Sequence, residues 1–186
     1  MTAFIDFEAI DQYGPQTFNE KLALTARELE RDDVEQMGEV SIVGQARTGD
    51  VEREYVVEGK VWFAADLDCS RCVDPFPFAT ESPFTVRYRP YPAVTEEDQE
   101  VELSGESELD VEFYAEPRAS LRDLAIEQIQ LSIPMKLLCD EKCLGLCVKC
   151  GTNLNQAACS CEDKVTDERW AALSGIREEL RKKKDV

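Results

Sequence analysis

"VEREYVVEGKVWFAADLDCSRC", residues 51–72, alternates apolar and polar side chains and then closes on a pair of cysteines. Val51, Tyr55, Val57, Val61, Phe63 and Leu67 share one parity, while Glu52, Glu54, Glu58, Lys60 and Asp66 share the other. A period of two predicts a half-buried strand with the first set turned inward. Gly59 inside that run predicts a bulge or bend. On the far side of Cys69-x-x-Cys72, "FPFATESPFTVRYRPY" (76–91) resumes the alternation through Phe76, Phe78, Phe84, Val86 and Tyr88. On the near side, "EVSIVGQAR" (39–47) leads through "TGD", a three-residue hairpin signal centred on Gly49. Three antiparallel strands with a cysteine pair in their second turn are therefore the nucleus of the fold.

Working outward, "FIDFEAI" (4–10) reads as a short strand ending in a turn at Gly14-Pro15. Ser120 can cap a helix, with Asp123 at the third helical position, and Pro134 stops it. Leu121, Leu124, Ile126, Ile129 and Leu131 supply the apolar faces of that helix. "TDERWAALSGIREELRKKK" (166–184) predicts a terminal helix, acidic at its start and basic at its end, with Trp170, Leu173, Ile176 and Leu180 as a core-facing stripe. The fold class expected is α+β: an antiparallel sheet with barrel-like curvature, one packed helix, a cysteine-rich zinc-binding unit and a terminal helix. The corresponding divisions are an acidic α+β domain over 1–135, a cysteine-rich unit over 136–165 and a helix over 166–186.

The chain has 186 residues, with 21 basic and 39 acidic side chains and a net charge of −18. The imbalance is concentrated in residues 1–135, and residues 136–186 are close to neutral. Phosphate affinity comes mostly from Lys and Arg, so a broad nucleic-acid surface is not expected on the first part. Residues 95–112 hold nine acids and no base, which reads as a solvated loop with a charged edge strand or as a contact surface for a basic protein. There is no histidine, which excludes His-based acid–base chemistry, Ser-His-Asp triads and His metal ligands. No apolar run reaches the length of a membrane span, and the opening residues lack the basic and apolar regions of a secretory signal. A cytoplasmic location without membrane contact is the expectation.

Eight cysteines stand at 69, 72, 139, 143, 147, 150, 159 and 161. In a reducing compartment such paired spacings point to structural zinc ahead of disulfides, redox thiols or an iron–sulfur cluster. Cys147, Cys150, Cys159 and Cys161 form a local set able to wrap one ion. Cys139 and Cys143 then join Cys69 and Cys72 from far upstream in a second site. The competing grouping puts Cys139 and Cys143 with Cys147 and Cys150, leaving Cys69 and Cys72 to meet Cys159 and Cys161. Either way, two zinc ions held by four thiolates each would leave no open coordination position, so zinc catalysis is not expected.

The runs "DCSRCVDPF", "IEQIQLSIPMKLLCDEKCLGLCVKCGTNLNQAACSC" and "DERWAALSGI", in that order, resemble the bacterial YceD family, the large ribosomal RNA subunit accumulation proteins, which have relatives in plastids. Val148 departs from the proline that many relatives carry there. The resemblance implies a cytoplasmic factor that supports normal levels of large-subunit (23S) ribosomal RNA, with the strand-linked cysteine pair as the general feature and the distal set as an addition. It supplies no mechanism. Three readings compete on the residues: a non-enzymatic biogenesis factor docking a basic ribosomal or RNA-processing protein, a zinc protein touching ribosomal RNA directly through residues 136–186, and a thiol redox or metal-delivery protein.

Overall fold

A computed structural model describes residues 4–91 and 111–161. The chain divides into two compact units, one ending at Cys143 and the other beginning at Leu144. The expected terminal helix and most of the acidic segment, residues 95–110, lie outside the described residues.

The first unit is built on a five-stranded sheet in the order β2-β3-β4-β5-β6. Its strands are β2 (Gln16–Leu22), β3 (Val34–Thr48), β4 (Tyr55–Asp68), β5 (Pro75–Pro90) and β6 (Val111–Tyr114). Pairing is antiparallel from β2 to β5, and β6 runs parallel to β5. The alternation in the sequence sets the faces. Tyr55, Val57, Val61, Phe63, Ala65 and Leu67 of β4 are all buried, on one core face with Val40, Ile42 and Ala46 of β3 and Phe84 and Tyr88 of β5.

Two helices meet this inner face. α1 (Phe7–Tyr13) buries Phe7 and Ile10, and α2 (Leu121–Ser132) buries Leu121, Leu124, Ala125 and Ile129. All belong to one hydrophobic core with the sheet. Phe7 stacks on Tyr55 at 4.3 Å between ring centroids, and the Tyr55 hydroxyl donates to Asp11 at 2.8 Å. Ser120 caps α2 as expected, accepting from the Asp123 N–H. A second, two-stranded sheet pairs β1 (Phe4–Asp6) with β7 (Arg118–Ser120) and ties the start of α1 to the start of α2.

The structure corrects several expectations. The sheet is open, not barrel-like: β2 and β6 are its two ends, and they do not pair. There are two packed helices among the described residues, because the run 4–10 is strand only as far as Asp6. The Asp6 carboxylate accepts the Ala9 N–H and caps a helix there, bringing Phe7 and Ile10 onto one face. The connection from β3 to β4 spans residues 49–54 and is closed by the Gly49 N–H donating to Glu54 O at 2.7 Å. Val51 is exposed in that loop. Glu54 has no solvent exposure at its side chain, and its carboxylate is held by Arg89 at 2.8 Å, by Arg87 at 3.5 Å and by the Asp50 N–H. Burial would raise the Glu54 pKa, but these donors outweigh it and hold it below the ordinary value.

Gly59 is not at a bulge. The β3–β4 ladder is continuous from Val40–Phe63 to Thr48–Tyr55, and its irregularities lie between Val34 and Val40. Gly59 faces Gly44 directly, with Phe18 beside Gly44 and Phe84 beside Gly59 in one row across four strands. A Cβ on Gly59 would lie 2.3 Å from Val43 O and 3.1 Å from the Phe84 ring, so close approach is what requires glycine.

Candidate metal centres

β4 and β5 stay in register to Asp68–Pro75, so residues 69–74 are the turn of a hairpin and Cys69 and Cys72 sit at its tip. After α2, the backbone before Pro134 turns extended at Ile133, as the residue preceding proline favours. Ile133 and Leu137 are buried in the main core, and this carries the chain back toward the hairpin. Two hydrogen bonds fasten it there: Ser70 N–H to Leu137 O at 2.8 Å, and Leu137 N–H to Ser70 Oγ at 3.2 Å. Arg71 completes the clamp, with one guanidinium nitrogen donating to Cys143 O at 2.7 Å and Glu141 O at 3.2 Å.

The result is a tetrad of Cys69, Cys72, Cys139 and Cys143 whose sulfurs all lie within 4.8 Å of one another. Cys69 and Cys143 sulfurs are 3.8 Å apart, and those of Cys72 and Cys139 are 3.7 Å apart. A disulfide would need about 2.05 Å. A tetrahedron with metal–sulfur bonds of ~2.3 Å has edges of ~3.8 Å. Cys69, Cys72 and Cys143 are buried, with Phe76 and Leu138 packed on the cluster, while Cys139 is exposed.

The second unit gathers Cys147, Cys150, Cys159 and Cys161, again with all sulfurs within 4.8 Å. The eight cysteines thus pair as one local set and one long-range set, and all eight are free of disulfides. Residues 144–161 contain neither helix nor ladder, only a single bridge between Leu146 and Asn153. Local bonds shape the finger: Cys147 N–H to Thr152 O, Leu154 N–H to Gly145 O, and Leu144 N–H to the Asn155 side chain.

The two C-x-x-C turns are copies of one device. Amides of Arg71 and Cys72 point at the Cys69 sulfur, and amides of Lys149 and Cys150 point at the Cys147 sulfur. In each, the residue after the second cysteine returns its N–H to the first cysteine's carbonyl: Val73 to Cys69 at 2.8 Å, and Gly151 to Cys147 at 2.9 Å. Such donors offset thiolate charge, which is the second-shell support a metal–thiolate site needs.

The thiols of each tetrad do not ionise alike. Burial raises Cys69, but amides of Cys139, Cys72 and Arg71 outweigh it and bring its pKa down to about 6. Loss of water and the neighbouring sulfurs of Cys143, Cys69 and Cys72 drive Cys139 up to about 12. In the finger, the Thr152 hydroxyl and amide lower Cys150 to about 6, and hydrogen bonding to Cys150 together with burial raises Cys161 to about 12. Cys69 in the first tetrad and both Cys147 and Cys150 in the finger are lowered, whereas Cys139 and Cys161 are raised, so full ionisation of either set calls for a cation at the centre. The donor set, its spacing and its second shell fit a tetrahedral thiophilic ion.

Ser70, Arg71 and Leu137 were not singled out by the sequence. A serine and an arginine inside C-x-x-C carry no periodic signal, and only the fold reveals that their partners are carbonyls and amides about seventy residues away, as in the separation of 72 between Arg71 and Cys143. Among the described residues, no helix is long and apolar enough to cross a membrane.

Comparison with known proteins adds three findings. The model of the family described as "Large ribosomal RNA subunit accumulation protein YceD" matches residues 57–177, a span holding both tetrads. A chloroplastic protein of Arabidopsis thaliana, "Large ribosomal RNA subunit accumulation protein YCED homolog 1", is 36% identical over 66 residues. That alignment covers 36% of this chain and 19% of the relative, so the matched stretch is about a fifth of the relative's length. No solved structure matches the chain.

Proposed function

The chain belongs to the family of large ribosomal RNA subunit accumulation proteins, YceD, and from that premise we propose that it is a non-enzymatic, cytoplasmic ribosome-biogenesis factor. Its task is to sustain the large-subunit ribosomal RNA by docking a basic ribosomal or RNA-processing protein. The observation that carries the reading is the family match over residues 57–177, which contains the whole cysteine architecture. A net charge of −18 supports a basic protein as partner over bare RNA, since phosphate contacts need cations.

Each tetrad holds a structural zinc ion in this reading. Zinc suits four thiolates at tetrahedral spacing, whereas an iron–sulfur cluster binds its cysteines through separate irons and spreads the sulfurs further. The bound ion supplies folding free energy and cross-linking. With four protein ligands it offers no position for an activated water.

The test is a strain lacking the protein, complemented with the wild-type chain or with Cys69→Ser/Cys72→Ser, and scored by the ratio of 23S to 16S ribosomal RNA. The ratio falls without the protein and recovers with the wild type alone. An affinity capture after nuclease treatment then reports the partner. Recovery of a basic protein supports docking, and recovery of RNA alone, lost at high salt, replaces docking with direct RNA binding. Metal analysis with native mass spectrometry is expected to give two zinc ions per chain.

A further inference from the structure

The two tetrads share a turn geometry but not a setting. In the first, Cys69, Cys72 and Cys143 keep 1%, 3% and 5% of their surface exposed. Its ligands sit on a hairpin of the main sheet and on a connection fixed by buried Ile133 and Leu137. The Ser70–Leu137 pair and the Arg71 clamp hold the two halves together through contacts that involve no sulfur. In the second, Cys150 is exposed and Cys147, Cys159 and Cys161 are partly so. Between 144 and 161 the one buried residue is Gly145, which has no side chain to contribute to a core.

These differences act on ligand exchange. A four-coordinate zinc ion gives up its thiolates when an outside donor reaches the metal and the coordination expands. Three buried cysteines and their apolar cover, Phe76 and Leu138, restrict that approach at the first site to the side of Cys139, its one exposed member. Exposed sulfurs permit it at the second. The folding consequence differs too, because a segment without a core of its own derives its order from the ion.

Resting on the zinc reading above, we propose that the sites are inequivalent: Cys69, Cys72, Cys139 and Cys143 form a permanent staple, and Cys147, Cys150, Cys159 and Cys161 form an exchangeable site for a thiophilic divalent ion. The finger 144–161 is ordered by that ion and responds to its supply. In exchange, the donors of a competing chelator replace the zinc–sulfur bonds one after another, and the freed thiolates return to solvent. No electrons move.

The full chain with its metal is titrated with EDTA, read by native mass spectrometry, pulsed with N-ethylmaleimide and mapped by peptide. A two-ion species is expected to pass through a one-ion species. In that species Cys147, Cys150, Cys159 and Cys161 are alkylated roughly tenfold or more faster than Cys69, Cys72 and Cys143. Amide-exchange protection is expected to persist in β4 while it is lost over 144–161. Loss of both ions in one step, or first alkylation at Cys69, Cys72 or Cys143, overturns the inequivalence and leaves the two-ion reading intact. A chain that carries one ion from the start overturns the two-ion reading instead. The protected tetrad then decides the inference: protection of the staple upholds it and protection of the finger sinks it. A chain isolated with no ion overturns both.

Discussion

Val73 and Gly151 occupy the same place in the two cysteine turns, at φ +61° and +73°. The left-handed region costs a residue with a Cβ roughly 1–2 kcal/mol, and a β-branched side chain is among the least suited to it. Val73 is mostly exposed, so little burial offsets that cost. Val73→Gly is therefore expected to stabilise the protein by about 0.5–1 kcal/mol after the added freedom of the unfolded chain is subtracted. Gly151 has nothing within 4 Å of a Cβ, so Gly151→Ala tests the backbone term alone and is expected to cost about 1 kcal/mol in finger stability. Urea midpoints report the first change, and the chelator concentration that frees the finger's ion reports the second. A second residue, Glu28, sets part of the acid behaviour. Hydrogen bonds from Arg122, then from the Thr25 amide and hydroxyl, lower its pKa from 4.5 to about 2. A lowered folded-state pKa gives stability that is complete above the ordinary value and is lost as pH falls through the folded value. Relative to wild type, Glu28→Gln is expected to show a shallower loss of urea midpoint between about pH 5 and 2. Equal slopes would refute this. Metal loss in acid is common to both chains and cancels in the comparison. Gly151 could be read from the sequence, since a glycine directly after the second cysteine suits a positive φ, but Val73 and Glu28 could not. Val73 looks like strand, and Glu54 looks like solvent-facing polar parity until Arg87 and Arg89 are brought over it.

At the level of elements, what could be read was what packing on one face imposes. β4 and β5 follow their alternation, and α2 follows its cap and its proline stop. What could not be read is where a local bond overrides the pattern. The apolar residues Phe4, Ile5, Phe7 and Ile10 give no single period over so few positions, and the Asp6 cap starts a helix directly after the three-residue β1. β2 pairs along its full length yet has no buried residue, so no alternation marks it. In β5, Pro75, Pro77 and Pro83 share a parity, so the donors they remove all lie along one side of the strand. Among the described residues β6 pairs with β5 only over Arg87–Pro90, beyond the stretch that holds those three prolines. The glycine pair shows the same limit. Gly59 signalled a special position, but its nature depends on Gly44 and the rings of Phe18 and Phe84 on three other strands. A Cβ at Gly44 would come within 2.2 Å of Glu58 O and 2.7 Å of the Phe18 ring. Gly44→Val and Gly59→Val are each expected to cost about 2–3 kcal/mol, as overpacking does when backbone must move. A loss in either variant below about 0.5 kcal/mol would show that the strands separate freely there.

For the whole molecule, the cysteines were legible as two sets of candidate metal ligands because spacing is a property of sequence, whereas the burial that separates one tetrad from the other is a property of the fold. That separation gives the sites unequal mechanical roles. The staple joins residues 67 and 74 apart in sequence, as measured between Cys72 and Cys139 and between Cys69 and Cys143. Treating the metal as a cross-link, closing a loop of that length removes about 4 kcal/mol of unfolded-state entropy. Against a total stability of roughly 5–15 kcal/mol, such a contribution decides whether the sheet and α2 stay together at physiological temperature. The finger closes a much shorter loop within its own unit and crosses no other element. Cys69→Ser/Cys72→Ser is therefore expected to lower the unfolding free energy of the sheet unit by about 3–5 kcal/mol, leaving Ser70 and Arg71 as the residual hold on residues 137–143. Cys159→Ser/Cys161→Ser is expected to leave that transition in place and to change only the metal content and the exchange of 144–161. Amide exchange over β4, compared in the two variants, separates the contributions. Equal loss of protection in both would mean that the two ions act as one cooperative unit, and the division of labour between staple and finger would fail.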